Sequence, residues 1–203
     1  NDYGVFNIGL INRALAEIDR GSNTQKEIAK RIKLSEGSVD GHLKVAKEFG
    51  LLRARNRAYF LTARGDKYVH ANNQGILLDT LTKGQIDLLK EFVAEDPFYS
   101  PTIFGIYSIV ESAFLLSRNV YPIELERLRT MFQTVSGKIS AWRSERALNT
   151  ATYTFLNFAI DLELLGKIGK QIVITPAGFR FILMLQLHKS IEMIDSLTTN
   201  SRS

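Results

Sequence analysis

Apolar residues recur at helical spacing from Val5 to Asp19, where Phe6, Ile8, Leu10, Ile11, Leu15 and Ile18 supply the inner stripe of an amphipathic helix. Gly21-Ser22-Asn23 stops that pattern, and Thr24-Gln25-Lys26-Glu27 then has the form of a capping box, in which Glu27 reaches back to the cap amide. The short helix that follows buries Ile28 and Ile32. Lys33-Leu34 predicts a tight turn, and Ser35 starts another helix that runs to Phe49 with Val39, Leu43, Ala46 and Phe49 inward and Gly50 as its left-handed cap. Leu51–Ala54 and Ala58–Leu61 then form a short hairpin around Arg55-Asn56-Arg57, and Thr62 caps a helix through Val69. Thr82 to Glu95 is a further helix, ended by Asp96-Pro97.

Helix, helix, turn, helix, hairpin, helix is the order of a winged helix-turn-helix. The stretch TQKEIAKRIKLSEGSVDGHLKVAKEFGLLRARNRAYFLTARG resembles the DNA-binding core of the ArsR- and MarR-like bacterial and archaeal regulators. The resemblance rests on Ala29 in the first helix, Leu34-Ser35 in the turn, Ser38-Val39 and His42-Leu43 in the second helix, Gly50-Leu51 before the wing and the closing Leu-Thr-x-x-Gly. It covers residues 5–70.

The second half of the chain repeats the first. At an offset of 113 residues, Ala46 falls on Ala159, Leu51-Leu52 on Leu164-Leu165, Arg57 on Lys170, Leu61-Thr62 on Ile174-Thr175 and Gly65 on Gly178. A second winged helix is therefore expected, with Pro101–Ser117 and Pro122–Phe132 as its first two helices, Tyr153 to Leu165 as the third and Pro176 in the first turn of the last. The expected fold is mainly α with small β-hairpin wings: two tandem winged-helix domains joined by a linker helix, with boundaries at 1–75, 76–100 and 101–203. Thr134 to Asn149 has no counterpart in the first unit and is expected to be a loop and helix pinned by Trp142, or an extra nucleic-acid contact.

Charge changes this picture more than composition does. Of the formal net charge of +5, all lies in residues 1–75, where thirteen Lys and Arg meet eight acids; residues 76–203 are neutral. Lys44 to Lys67 alone holds seven bases (Lys44, Lys47, Arg53, Arg55, Arg57, Arg64, Lys67) and two acids, Glu48 and Asp66. A local basic patch on an otherwise balanced chain points to an anionic partner, nucleic acid before membrane; the plainer alternatives are a solvated surface or arginines paired with Glu48 and Asp66. The chain has no cysteine, which removes disulfides, thiolate metal sites and a cysteine nucleophile. Its longest uncharged apolar-leaning stretch, Pro97 to Val110, is too short to span a bilayer, and with no signal-peptide pattern a cytoplasmic location is expected.

Candidate chemistry is sparse. His42, His70 and His188 are isolated, GKIGKQ lacks the spacing of a phosphate-binding P-loop, and Asp161 and Glu163, two apart on a helix, point to different faces. No enzymatic activity and no cofactor or metal are expected. What remains is binding to double-stranded DNA, and in a winged helix the N-terminal part of the second helix faces base edges. Carried over by position, the contact set is Thr24, Ser35, Glu36, Gly37, Ser38, Asp40, Gly41, Lys44 and Lys47, with Arg53, Arg55, Asn56 and Arg57 in the wing. Glu36 and Asp40 oppose phosphate contact, although a carboxylate can accept from cytosine and also favours a helix N-terminus. Arg53, Arg55 and Arg57 project together if the strand stays regular through the turn. Lys138, Trp142, Arg143 and Arg146 form a possible second contact.

Three functions fit these residues: a transcriptional regulator or DNA-recognition module; the target-reading part of a restriction or nicking endonuclease; and a scaffold for partner proteins. The second rests on a pattern similar to type IIS enzymes over residues 61–175, with the nuclease domain outside this chain. The third rests on the apolar second unit and on Phe179 to Leu197, which also suits a homodimer.

Overall fold

A computed structural model describes residues 5, 7–72, 79–137, 142 and 144–200, with side chains of the last helix described to Leu187 and at Ser190, Ile191 and Ile194. Among these residues the chain is mainly helical, with two small antiparallel sheets. A 3-10 turn, Ile8–Ile11, precedes α1 (Asn12–Asp19), α2 (Gln25–Ile32) and α3 (Glu36–Glu48). The hairpin of β1 (Leu52–Arg55) and β2 (Ala58–Leu61) leads into α4 (Ala63–His70), and α5 (Lys83–Glu95) follows. The second half contains α6 (Pro101–Ser117), β3 (Ile123–Glu124), α7 (Leu125–Ser136), α8 (Glu145–Asp161), the β4 (Leu165–Ile168) and β5 (Gln171–Ile174) hairpin, and α9 (Pro176–Asn200).

The helices start where capping side chains satisfy their first amides. Thr24 and Glu27 form the expected capping box on α2, Ser35 accepts from the Ser38 amide on α3, and Thr82 with Gln85 makes a second capping box on α5. Three boundaries differ from expectation. The first helical stripe begins as a 3-10 turn capped by Asn7, not as α-helix from Val5. The helix expected from Pro122 begins at Leu125, because Ile123 and Glu124 are extended and pair with Ile172 and Gln171 of β5. The helix expected from Tyr153 starts two turns earlier, at Glu145, where Ser144 caps it, and stops at Asp161, so the expected loop-helix of 134–149 is divided between the ends of α7 and α8.

The sequence repeat is reproduced bond by bond. Leu51 N–H donates to Ala46 O at 2.9 Å, as Leu164 N–H does to Ala159 O. The Thr62 hydroxyl donates to Gly50 O at 2.6 Å, and the Thr175 hydroxyl to Glu163 O at 2.6 Å. In return Thr62 Oγ1 accepts from Gly65 N–H at 3.1 Å, and Thr175 Oγ1 from Gly178 N–H at 2.9 Å. A Cβ on Gly65 or on Gly178 would overlap the carbonyl oxygen of Leu51 or Leu164, so both positions require glycine for close approach of strand and helix. The hairpins share one register: Leu52 faces Leu61 as Leu165 faces Ile174. Even the short third strand has a counterpart, since Tyr59 N–H donates to Asn23 O at 2.8 Å where Ile172 pairs with Ile123.

The two halves share one continuous apolar core that runs from Ile8, Leu15 and Leu43 through Ile103 and Phe155 to Ile182. Two carboxylates at equivalent positions stitch them together reciprocally. Glu48, the last residue of α3, accepts from the Thr102 amide at 3.1 Å and from its hydroxyl, at the start of α6. Asp161, the last residue of α8, accepts from the Ile8 amide at 2.7 Å, at the start of the first helical segment. Each half thus supplies a carboxylate to a first-turn amide of the other half's first helical segment, an amide that has no partner within its own segment. Buried Asn12, Tyr68 and Gln85 add a polar network that ties α1 and α4 to α5, with the Tyr68 hydroxyl donating to Asn12 Oδ1 at 2.7 Å.

Candidate nucleic-acid interface

The expected contact residues of the first half fall into two groups. Gly37, Asp40, Lys44 and Lys47 lie along one exposed stripe of α3, with Glu36 and Ser38 exposed beside them. Gly41 does not belong to that surface: it is buried with His42, Val45 and Ala46 on the face that packs into the core. Gly41 lies at the edge of that stripe, where neighbouring elements cover it, so its burial corrects the base-facing role expected for it. Burial pushes the His42 imidazole below its usual range, leaving it neutral near pH 7 as an internal residue.

Two of the expected contacts act as caps. Thr24 Oγ1 accepts from the Glu27 amide at 3.3 Å, and Glu27 Oε2 accepts from the Thr24 amide at 3.2 Å. Hydrogen bonding to Thr24 holds the exposed Glu27 carboxyl below its ordinary range. Ser35 and Ser38 share a hydroxyl contact of 2.9 Å at the start of α3. Gln25 Nε2 donates to Glu36 O at 2.7 Å, locking the first turn of α3 against the first turn of α2. Tyr59 of β2 is bonded to Asn23, so the hairpin, the start of α2 and the start of α3 are linked through two hydrogen bonds, at Asn23 and at Gln25.

Arg53 and Arg55 alternate along β1, exposed, as strand geometry demands. Arg57 does not continue the row. Asn56 and Arg57 have φ of 52° and 63°, the two left-handed residues of a two-residue type I′ turn, so Arg57 sits at the hairpin tip. Alternation in sequence does not reveal this, because a two-residue turn consumes the position that a regular strand would have given it. Among the described residues no ion pair involves Arg53, Arg55 or Arg57, and neither Glu48 nor Asp66 neutralises them: Glu48 engages Thr102, and Asp66 lies 3.5 Å from His70. Arg13, Arg20, Arg64, Arg127 and Arg129, by contrast, all lie against carboxylates. Arg64, within the basic run, is also stacked on Phe92 at 4.7 Å from the ring centre, and so clamps α4 to α5.

The basic side of α2 is absent from the contact set that the sequence suggests. Lys30 and Arg31, with Arg20 and Glu27, line a concave surface against Gly21 and Ser22. The adjacent bases Lys30-Arg31 at the end of a short helix are the signal that could have found it.

In the second half, the half-buried Trp142 is stacked on Phe132 at 5.4 Å and packs on Phe155 at 5.0 Å, which pins this segment to the body. Arg146 is exposed in the first turn of α8. Lys138 and Arg143 lie outside the described residues. The second hairpin carries Gly166, Ile168 and Lys170 where the first carries arginines, and its turn uses Gly169 at φ 61°.

Among the described residues, no group of three His, Asp or Glu is placed to hold a metal ion, and no helix is long and apolar enough to cross a membrane. Comparison with models of known protein families, with curated proteins and with solved structures finds nothing that matches this chain.

Proposed function

We propose that the chain is a pair of tandem winged-helix units, residues 1–75 and 101–203 joined through 76–100, and that the first unit binds double-stranded DNA in a sequence-specific manner. Its role would be that of a transcriptional regulator or DNA-recognition module that binds without doing chemistry. Support for the fold comes from the repeated order of three helices, hairpin and helix, and from the shared Thr-x-x-Gly bonding. Support for the partner comes chiefly from one observation: three exposed arginines, in no ion pair among the described residues, stand on the hairpin, whose second strand is bonded through Tyr59 to Asn23, just before α2. Like charges repel, and three of them clustered on one hairpin without an ion pair suit a polyanion. In this reading Arg53 and Arg55 meet phosphates, Arg57 at the tip enters the minor groove, and Gly37, Ser38 and Asp40 approach base edges in the major groove.

Gel retardation of a random-sequence duplex tests this. At about 50 mM salt the protein should bind with micromolar or tighter affinity, and Arg53→Ala/Arg55→Ala/Arg57→Ala should weaken binding at least about ten-fold with an unchanged thermal midpoint. A wild-type protein that retards no duplex under these conditions would refute the proposal.

A further inference from the structure

Helix α9 is apolar on two opposite sides. Phe181, Ile182 and Leu185 are buried against the body, and Phe179 packs on Phe114 of α6 at 5.3 Å. On the far side, Met184, Leu187, Ile191 and Ile194 are 66%, 63%, 48% and 61% exposed. From Leu187 onward every described side chain of the 25-residue helix (Leu187, Ser190, Ile191, Ile194) is exposed. A helix that is apolar nearly all round is stable in water only when both faces are covered.

We infer that a second copy of this chain covers the outer face, through the same face of its own α9. The spacing of the seam carries the inference. Met184, Leu187, Ile191 and Ile194 follow one another at intervals of three, four and three, the a/d repeat by which one helix packs against another of its kind. The described residues that flank the seam, Leu183 and Ser190, are uncharged. The area fits as well. Together with Leu183, the exposed seam amounts to roughly 600 Å² per copy, at the upper end of the largest patch a monomer ordinarily exposes and approaching the ~800 Å² per partner of a stable interface. A membrane-surface helix would instead border its apolar face with Lys and Arg, and among the described positions of α9 only Arg180 does so. The inference is independent of DNA binding.

Sedimentation of the whole chain between about 1 and 100 μM tests it, since an interface of this size ordinarily holds at micromolar concentration or below. The wild type should sediment at twice its 22.9 kDa. Leu187→Glu/Ile191→Glu should sediment as a monomer with unchanged helical circular dichroism, because both side chains are already exposed in the single copy. The milder Leu187→Ala, which removes a seam side chain from each copy, should weaken the dimer about 100-fold. A wild type that stays monomeric throughout, including one that instead pellets with lipid vesicles or binds another protein, overturns the inference; so does a dimer that survives the double substitution.

Discussion

Gly37 and Gly65 both stand in the first turn of a helix, and their surroundings ask opposite things of them. A Cβ on Gly65 would strike the Leu51 carbonyl, whereas a Cβ on Gly37 would meet nothing within 4 Å. Gly65→Ala should therefore cost about 2 kcal/mol or more, by forcing α4 away from the hairpin, and Gly178→Ala should do the same in the second half. Gly37→Ala should leave the fold intact and raise stability by a few tenths to about 1 kcal/mol, since glycine only weakens a helix there. Thermal or urea unfolding of the three variants checks this. A glycine that the fold does not need, on the exposed stripe of α3, is consistent with close approach of something outside the chain. In that case Gly37→Ala gains stability while losing DNA affinity.

At the level of elements, the caps and turns are the most legible features in the sequence, because each is settled between neighbouring residues: Thr24 with Glu27, Ser35 with Ser38, Thr62 with Gly65. What sequence does not supply is anything set by distant partners. Ile123 and Glu124 are strand because β5 is beside them, and α8 extends back to Glu145 because Ser144 caps it and Leu148 and Ala151 are buried. The reciprocal carboxylates are equally invisible, and spacing alone makes Asp161 no more than a poor catalytic candidate. Its burial at the junction pushes its carboxyl up to about 6, opposed by the Ile8 N–H it accepts from. An acid raised from 3.8 to about 6 binds its proton more tightly in the folded state. Its contribution is therefore fully present below about pH 4 and is lost as pH rises through about 6. Asp161→Asn, neutral at every pH and still able to accept from Ile8, should flatten this dependence. The thermal midpoint of the variant relative to wild type should rise between about pH 4 and pH 7; a constant difference across that window would exclude the assignment.

The whole molecule is one core shared by two halves that differ in what they present. The first half shows an arginine hairpin beside the start of α3; the second replaces those arginines with Gly166, Ile168 and Lys170 and offers the apolar outer face of α9. Net charge separates the halves already in the sequence, but it overstates the patch, because Arg64 is held by Glu95 and Phe92. On the proposed function Arg53 and Arg55 are the phosphate-facing charges of the first unit, and Arg57 enters the minor groove. The most direct test is the salt dependence of duplex affinity for wild type and for Arg53→Ala/Arg55→Ala/Arg57→Ala. Each phosphate that the variant no longer neutralises should make the log–log slope shallower by about 0.9, so the two phosphates met by Arg53 and Arg55 predict a difference of roughly 1.8. Equal slopes for the two proteins, or no measurable binding by the wild type at low salt, would contradict it.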